Sequence, residues 1–355
     1  HNYENLGAIG VAGMTRAMAP DLMEETLKTA FTRLKQLKPA HVHYKVCSTF
    51  DSSPTIGSIG KAIDTGAAVF ENTITPLLVA APLLGRYCMF GNLFARMGIG
   101  SQGKIYRLDR HPSMSKHPTT PAMESDLRMH LSHQTAKTIG LFDILEIAKE
   151  KVERLEALNA LKQENAEIIL FDALDETHML HAGELIDSLT APDKTLFSAG
   201  SSGVEAALGS YWNQKGIINQ QNNWAKADEV DVLLVASGSC SPVTSTQIAT
   251  AVDDGFMEIA IDTLAFVQQE AHEELVMSYA HQAAALLKQG KSVIIHTSTG
   301  PDDQRIAETA DALKQNNSKG TAEIYGTALG KIVKAILDKI NKPGLSRLNT
   351  KSVLC

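Results

Sequence analysis

Apolar positions along this chain follow two periods in turn. Runs that alternate every second residue, or are apolar throughout, predict strands at AIGVAG 8–13, HVHYKV 41–46, TPLLVAA 75–81, EIILFD 167–172, VDVLLVAS 230–237, MEIAI 257–261 and SVIIHT 292–297. Between them, apolar residues three and four apart predict helices over 20–37, 57–70, 124–134, 142–163, 177–188, 201–213, 242–253, 263–289, 303–316 and 321–341. The first of these opens on Pro20 with Asp21, Glu24 and Glu25 in its first turns, where a fixed φ and negative charge favour a helix start. Such alternation from end to end belongs to parallel sheets covered by helices, so the expected fold class is α/β.

The pattern fails in two places. NQKGIINQQNNWAKADE, 213–229, has neither period and few apolar residues, and serves as the boundary between expected domains at 1–215 and 230–355. Each domain is expected to be a mostly parallel sheet flanked by helices. The other place is 82–123, about forty residues rich in Gly, Pro, Arg and His with weak periodicity, expected to be an irregular functional loop.

Composition narrows the classes. A chain of 355 residues is long for one core, and 44% apolar with 21% charged residues is ordinary for a globular protein. A net charge of −7 without a Lys/Arg block argues against nucleic acid as partner, so a small anion would need locally placed cations. Cysteines at 47, 88, 240 and 355 are too far apart for a metal knuckle and point to a reduced, cytoplasmic chain. TPLLVAAPLLG, 75–85, is too short to span a bilayer, so no membrane is expected, and no signal-peptide pattern opens the chain. His1-Asn2-Tyr3 in place of an initiator methionine suggests a sequence that begins partway into a fold.

Three stretches carry candidate chemistry. YKVCSTFDSSPTIGSIG, 44–60, follows a predicted parallel strand with six Ser/Thr hydroxyls, Lys45, Asp51 and a glycine-flanked helix start, more polar groups than a turn needs. Lysine charge, hydroxyls and free amides at a strand's C-terminal end could cradle a carboxylate and several hydroxyls, and a solvated capping loop is the competing reading. Within 85–118, Arg86, Arg107 and the repeated Arg110-His111-Pro112 and Lys116-His117-Pro118 concentrate positive charge on proline-stiffened backbone, as an oxyanion partner would require. In VDVLLVASGSCSPVTSTQ, a strand ends in Ser237-Gly238-Ser239-Cys240-Ser241 and Pro242 opens a helix, aiming amides at an anion such as a nucleotide phosphate. HTSTGPDD, 296–303, has the same construction with Thr299 and Gly300. An ordinary capped turn competes in both cases.

Other motifs are absent or weak. The chain has no Walker loop, no G-x-G-x-x-G after a strand and no nucleophile elbow, and GTALGK, 326–331, falls inside a helical pattern. Histidine pairs at 41/43, 130/133 and 178/181 lack a third ligand at a metal spacing, so no metal-ligand set is nominated and solvated or capping histidines are expected.

Taken together, YKVCSTFDSS, Gly85-Arg86 with FGN 90–92, RHPSMSKHP, FDAL 171–174, GSSGVE 200–205 and SGSCSPVT 237–244 resemble, in order and spacing, the four-carbon acid sugar kinase family over about residues 7–300. The resemblance implies an ATP-dependent kinase of a small sugar acid such as threonate, erythronate, their 3-oxo forms or a branched relative such as 3-oxo-isoapionate. Its first domain would hold the acid and its second the nucleotide. Carried onto this sequence, Arg16, Lys45, Ser48, Thr49, Arg86 and His111 would bind the acid, with Lys45 and Asp51 catalytic. Ser237, Gly238, Ser239, Ser241, Thr299 and Gly300 would meet ATP, and Mg²⁺ would bridge its phosphates with few protein ligands. Closure of the two domains is expected to exclude water, and a homodimer is allowed. The family's Asp-Asp-aromatic-Thr-Gly and Gly-Gly-Asp-Thr/Ser elements do not occur in this sequence. That leaves a second reading open, a sugar-acid binding or regulatory protein without an ATP site, and a dehydrogenase on the same architecture as a third.

Overall fold

The computed structural model of the chain describes residues 6–98, 103–117, 119–219, 230–268, 272–300, 302–316, 321–340 and 350–354. They fall into two compact units, His1–Asn222 and Asn223–Cys355. The first contains α1 (Pro20–Gln36), β1 (His41–Lys45), α2 (Ile59–Phe70), β2 (Thr75–Leu78), β3 (Arg86–Met89), β4 (Asn92–Arg96), β5 (Ile105–Arg107), α3 (Leu127–Ser132), β6 (Ile139–Phe142), α4 (Ile144–Ile147), α5 (Lys151–Gln163), β7 (Ile168–Phe171), α6 (Glu176–Asp187), β8 (Leu196–Gly200) and α7 (Gly203–Gln214).

Five of these strands form a parallel sheet in the order β1-β8-β2-β7-β6. The inner strands TPLL, IILF and LFSAG are buried at every position, as parallel strands covered on both faces must be. Met23, Leu27 and Phe31 of α1 meet Phe70 of α2 and Phe197 of β8 in an aromatic cluster, with the Phe31 ring 5.3 Å from Phe197. Helix α2 approaches so closely there that a Cβ on Gly66 would lie 2.1 Å from the Phe197 ring.

Several of the expected elements turn out differently, the helix expected over 263–289 being described as two, Thr263–Gln268 and His272–Lys288. AIGVAG at 8–13 is no strand: it is exposed and pairs with nothing among the described residues. Its glycines have no side chain to bury, and the run gains too little from a ladder. The helix expected over 142–163 is three elements, because Asp143 caps α4 through Leu145 and Glu146 N–H, while Glu150 and Glu153 form a capping box that starts α5 afresh. The stretch 82–123, in its described residues, also departs from the irregular loop expected there. It forms the antiparallel ribbon β3-β4-β5, fastened beside the ends of β2 and β7 by the pairs Ala81↔Arg86 and Cys88↔Ala173.

The second unit holds β9 (Val232–Ser237), α8 (Pro242–Asp253), β10 (Met257–Ala260), α9 (Thr263–Gln268), α10 (His272–Lys288), β11 (Val293–His296), α11 (Gln304–Asn316), α12 (Thr321–Ile340) and β12 (Thr350–Leu354). Its sheet is parallel, in the order β10-β11-β9-β12. Val232, Leu234, Val293 and Ile295 pack against Ala280, Ala284 and Leu287 of α10 and Ile332 and Ile336 of α12. Both sheets are thus parallel and helix-covered, as the α/β expectation requires. GTALGK lies inside α12. Among the described residues no helix is long and apolar enough to cross a membrane.

Strand β1 carries a measurable consequence. His41 and His43 lie on one face, where His41 stacks edge-on against Trp212 and His43 Nδ1 lies 3.3 Å from Ser198 Oγ. Burial drives the His43 pKa down from 6.5 to about 4. Between those values the unfolded chain takes up a proton that the folded chain refuses, so stability falls as pH drops, by about 3 kcal/mol at most for this residue. His41 is shifted in the same direction by burial. Thermal melts from pH 7 to 4.5 should show a steep loss that His43→Asn flattens; an equal slope in the variant would refute this origin.

Candidate functional site

The loop after β1 leaves the C-terminal edge of the sheet, where ligands of parallel α/β sheets are held. Both oxygens of Asp51 are engaged there: Oδ1 accepts from Thr49 Oγ1 at 2.6 Å and Oδ2 forms an ion pair with Arg16. Cys47 Sγ lies 3.0 Å from Thr49 Oγ1. A carboxylate fixed at both oxygens is suited to holding geometry more than to taking up a proton. Gly57 lets the chain pass Arg16: its φ is +61°, and a Cβ would stand 2.4 Å from the Arg16 carbonyl oxygen.

Arg86 begins β3 almost wholly buried, yet no carboxylate is hydrogen-bonded to it among the described residues. Its Nη1 donates to the carbonyls of Leu84, Gly85 and Arg96, at 3.0, 3.4 and 3.1 Å, and its Nε is buried with no partner. Burial lowers the guanidinium pKa, and the charges of Cys47 and Asp51 pull it back, which places Arg86 beside the loop after β1. His111 is buried too, and Nδ1 accepts from the amides of Ser113 and Met114 at 3.3 and 3.2 Å. That fixes the ring proton on Nε2 in the neutral form. Burial first, then the Arg86 charge, lower its pKa, and the Arg96 carbonyl that Arg86 also uses opposes them. His117 repeats the construction, its Nδ1 accepting from Thr120 N at 3.0 Å. The repeated basic-His-Pro pattern therefore builds two histidine-capped turns.

Lys45 is exposed at the end of β1, and its charge acts on His43 and Glu205. Ser48 is partly exposed in the turn between Lys45 and Asp51. A small recess open to solvent has Thr49 to Ser52 as one wall and Leu108, Thr120, Ala122, Glu124, Leu127 and His130 as the other. Arg86 and His111, expected in the acid site, are not among the residues that line it. Glu124 and His130 are functional candidates that the sequence reading passed over. Glu124 Oε1 accepts from the amides of Ser125 and Asp126 at 2.8 Å each, so the carboxylate is aimed by the backbone. The signal for His130 was the 130/133 pair, discounted for want of a third metal ligand.

In the second unit Ser237 ends β9 with a buried hydroxyl that has no partner. Ser241 caps α8: its Oγ accepts from Thr244 N at 3.1 Å, while Ser239 Oγ accepts from Thr244 Oγ1 at 2.9 Å. The turn after β11 lies alongside, since Thr297 N donates to the Ser237 carbonyl and a Cβ on Gly300 would stand 3.0 Å from Ser245 Oγ. Thr299 spends its amide and hydroxyl on Asp303 Oδ2, and Gly300 N donates to Ser298 Oγ. These donors brace their own turn, which differs from the free donors expected there. Arg305 forks onto both Asp303 oxygens and holds that carboxyl far below the usual range. Among the described residues no three His, Cys, Asp or Glu side chains stand together as a metal site.

Comparison with known proteins gives the context. Residues 1–208 match the family described as a sugar-binding N-terminal domain, and residues 234–347 one described as a nucleotide-binding C-terminal domain. The chain is 38% identical to a 3-oxo-isoapionate kinase of Paraburkholderia graminis, over 95% of this chain and 71% of that protein. It is 25% identical to a 3-oxo-tetronate kinase of Pectobacterium atrosepticum, over 90% of this chain and 69% of that protein. A solved structure from Salmonella typhimurium, described as a putative tRNA synthase, shares the fold with a TM-score of 0.67 at 21% identity, covering 92% of this chain and 71% of that one. With both halves matched and this level of identity, the chain belongs to the four-carbon acid sugar kinase family.

Proposed function

We propose that the protein is an ATP-dependent kinase that phosphorylates a hydroxyl of a small acid sugar, a 3-oxo acid of four or five carbons such as 3-oxo-isoapionate or 3-oxo-tetronate, or a plain tetronate. The observation that carries the acid half is Arg86. A desolvated guanidinium with an orphaned Nε is costly unless an anion completes it, and a substrate carboxylate would do so. His111 would add a neighbouring donor. Arg16 and Thr49 would hold Asp51 so that its oxygens orient the substrate's hydroxyls, and Lys45 would add positive charge at the same sheet edge.

The nucleotide half rests on the turn after β9. There the unpartnered Ser237 hydroxyl, exposed Gly238 and the amide end of α8 form a cradle of the kind that takes phosphate oxygens. Ser239 and Ser241 would shape this turn through Thr244. Mg²⁺, when bound with ATP, would neutralise charge on the phosphates, held mainly by those phosphates. The protein's own part in phosphoryl transfer is then alignment and charge placement.

A coupled assay of ATP consumption over C4 and C5 acid sugars tests the reading. ATP use is expected only when an acid sugar is present; acid-sugar binding without any ATP binding would overturn it in favour of a non-catalytic binder. Ser237→Ala should raise KM for ATP about tenfold, the worth of one hydrogen bond, without lowering the melting temperature, because the hydroxyl it removes is unsatisfied. A lower melting temperature with unchanged KM would mean a structural role instead.

A further inference from the structure

The pocket wall formed by α3 contains a hydrogen-bond chain that leaves one directed acceptor unused. Ser52 Oγ has three polar neighbours: the Phe50 carbonyl at 3.0 Å, Gln134 Nε2 at 3.0 Å and His130 Nε2 at 2.9 Å. A serine hydroxyl has one proton to give and can accept two. The carbonyl can only accept, so the serine proton goes to Phe50. The Gln134 amide is oriented by Gly60, whose N–H donates to Oε1 at 3.3 Å, and this turns Nε2 toward Ser52 as a donor. All three contacts are hydrogen bonds only if His130 Nε2 donates as well.

In a neutral imidazole that assignment makes Nδ1 the acceptor. Burial, followed by the neighbouring His133, lowers the His130 pKa and favours the neutral ring, against the pull of Glu124, the Ser52 backbone and Asp51. The ring packs edge-on to Phe50, with centroids 5.8 Å apart, and His130 lines the pocket together with Asp51 and Glu124. Nδ1 accepts from no group among the described residues. The pocket thus offers acceptors on both walls, the partners that substrate O–H groups need.

The geometry points to His130 as a specificity-determining residue: its Nδ1 accepts a hydrogen bond from one hydroxyl of the acid sugar and so selects polyhydroxy acids over their deoxy analogues. This rests on the acid-sugar reading above. Removing the hydroxyl from the ligand, or the acceptor from the protein, then costs the same interaction, and the two losses do not add.

The test is calorimetric titration of D-threonate, D-erythronate and their 2-, 3- and 4-deoxy analogues into the full chain, with ATP absent. The wild type should bind one deoxy analogue about tenfold more weakly than its parent, as one hydrogen bond is worth. His130→Gln, whose terminal amide can still reach Ser52, should lose about tenfold in affinity for the parent and bind that analogue as well as the parent. His130→Asn, whose amide oxygen can take the place of Nδ1, should keep part of the discrimination although it fits the Ser52 contact less well. A residue that mattered only for packing would rank the two variants the other way. Discrimination undiminished in His130→Gln at an unchanged melting temperature overturns the inference while leaving the acid-sugar reading intact. A wild type that binds none of these acids, nor 3-oxo-tetronate or 3-oxo-isoapionate titrated alongside them, removes that reading, and this inference with it; one that binds only the 3-oxo acids overturns this inference alone.

Discussion

Arg86→Lys is expected to lower kcat/KM for the acid sugar by about two to three orders of magnitude while KM for ATP stays within about twofold. Lysine keeps the charge and can still reach the carbonyls of Leu84 and Arg96, but it has neither the planar fork nor the Nε donor that is now without a partner. A charge-assisted hydrogen bond contributes about 1.5–3 kcal/mol, and a fork presents two. The loss should fall mainly on KM if the contact is equal in ground and transition states, and on kcat if it tightens only during transfer. Arg86→Ala is the less informative change, since it also strips three backbone carbonyls of their donor. If Arg86→Lys turned over at the wild-type rate with wild-type KM, the carboxylate would have to be bound elsewhere, with Lys45 next to be tested.

The second large effect concerns stability. Asp172 follows β7 with no solvent exposure, and its oxygens accept from Gly91 N and Ile144 N at 3.1 Å each. One carboxylate thus ties the β3–β4 turn and the start of α4 to the end of the central sheet. Burial raises its pKa, and these amides offset part of that rise. Asp172→Ala would leave two buried amides unsatisfied, at about 2–5 kcal/mol in total, and lower the melting temperature by roughly 5–15 °C. Asp172→Asn should lie between, because one amide oxygen can serve one donor while its NH₂ opposes the other. A melting temperature within about 2 °C of wild type for Asp172→Ala would show that water or a rearranged turn replaces the carboxylate. FDAL, one of the stretches that carried the family resemblance, thus contains a residue whose position in the fold explains its chemistry without the substrate.

Legibility in the sequence followed burial. TPLL, IILF and VLLVAS read as strands because parallel strands covered on both faces must be apolar throughout. LFSAG was missed because it runs straight into the polar turn at Ser201 and Ser202, and AIGVAG was expected as a strand because its composition, unlike its exposure, resembles one. RYCM, NLFAR and IYR are short and half polar, since their ribbon is covered on one side, and that pattern cannot be told from loop. In the site, the hydroxyl excess of the loop after β1 was visible because it exceeded what a turn uses. His130 was not, because its significance lies in the single proton of Ser52, seventy-eight positions away, which only the folded arrangement brings beside it. Lys45 and Asp51 are both expected in the acid site, but strand parity carries Lys45 to the His43 face, where it acts on Glu205, while the turn carries Asp51 to Arg16.

The pocket's two walls differ in what they owe to the scaffold. Thr49 to Ser52 are anchored between a strand of the main sheet and α2, so changes there disturb the framework. Leu108, Thr120 and Ala122 belong to an excursion whose own turns are closed by His111 and His117. The outer wall can therefore be redrawn, by evolution or by a designer, while the inner wall stays as a fixed template, so that one interchangeable strip of chain sets the shape of the recess.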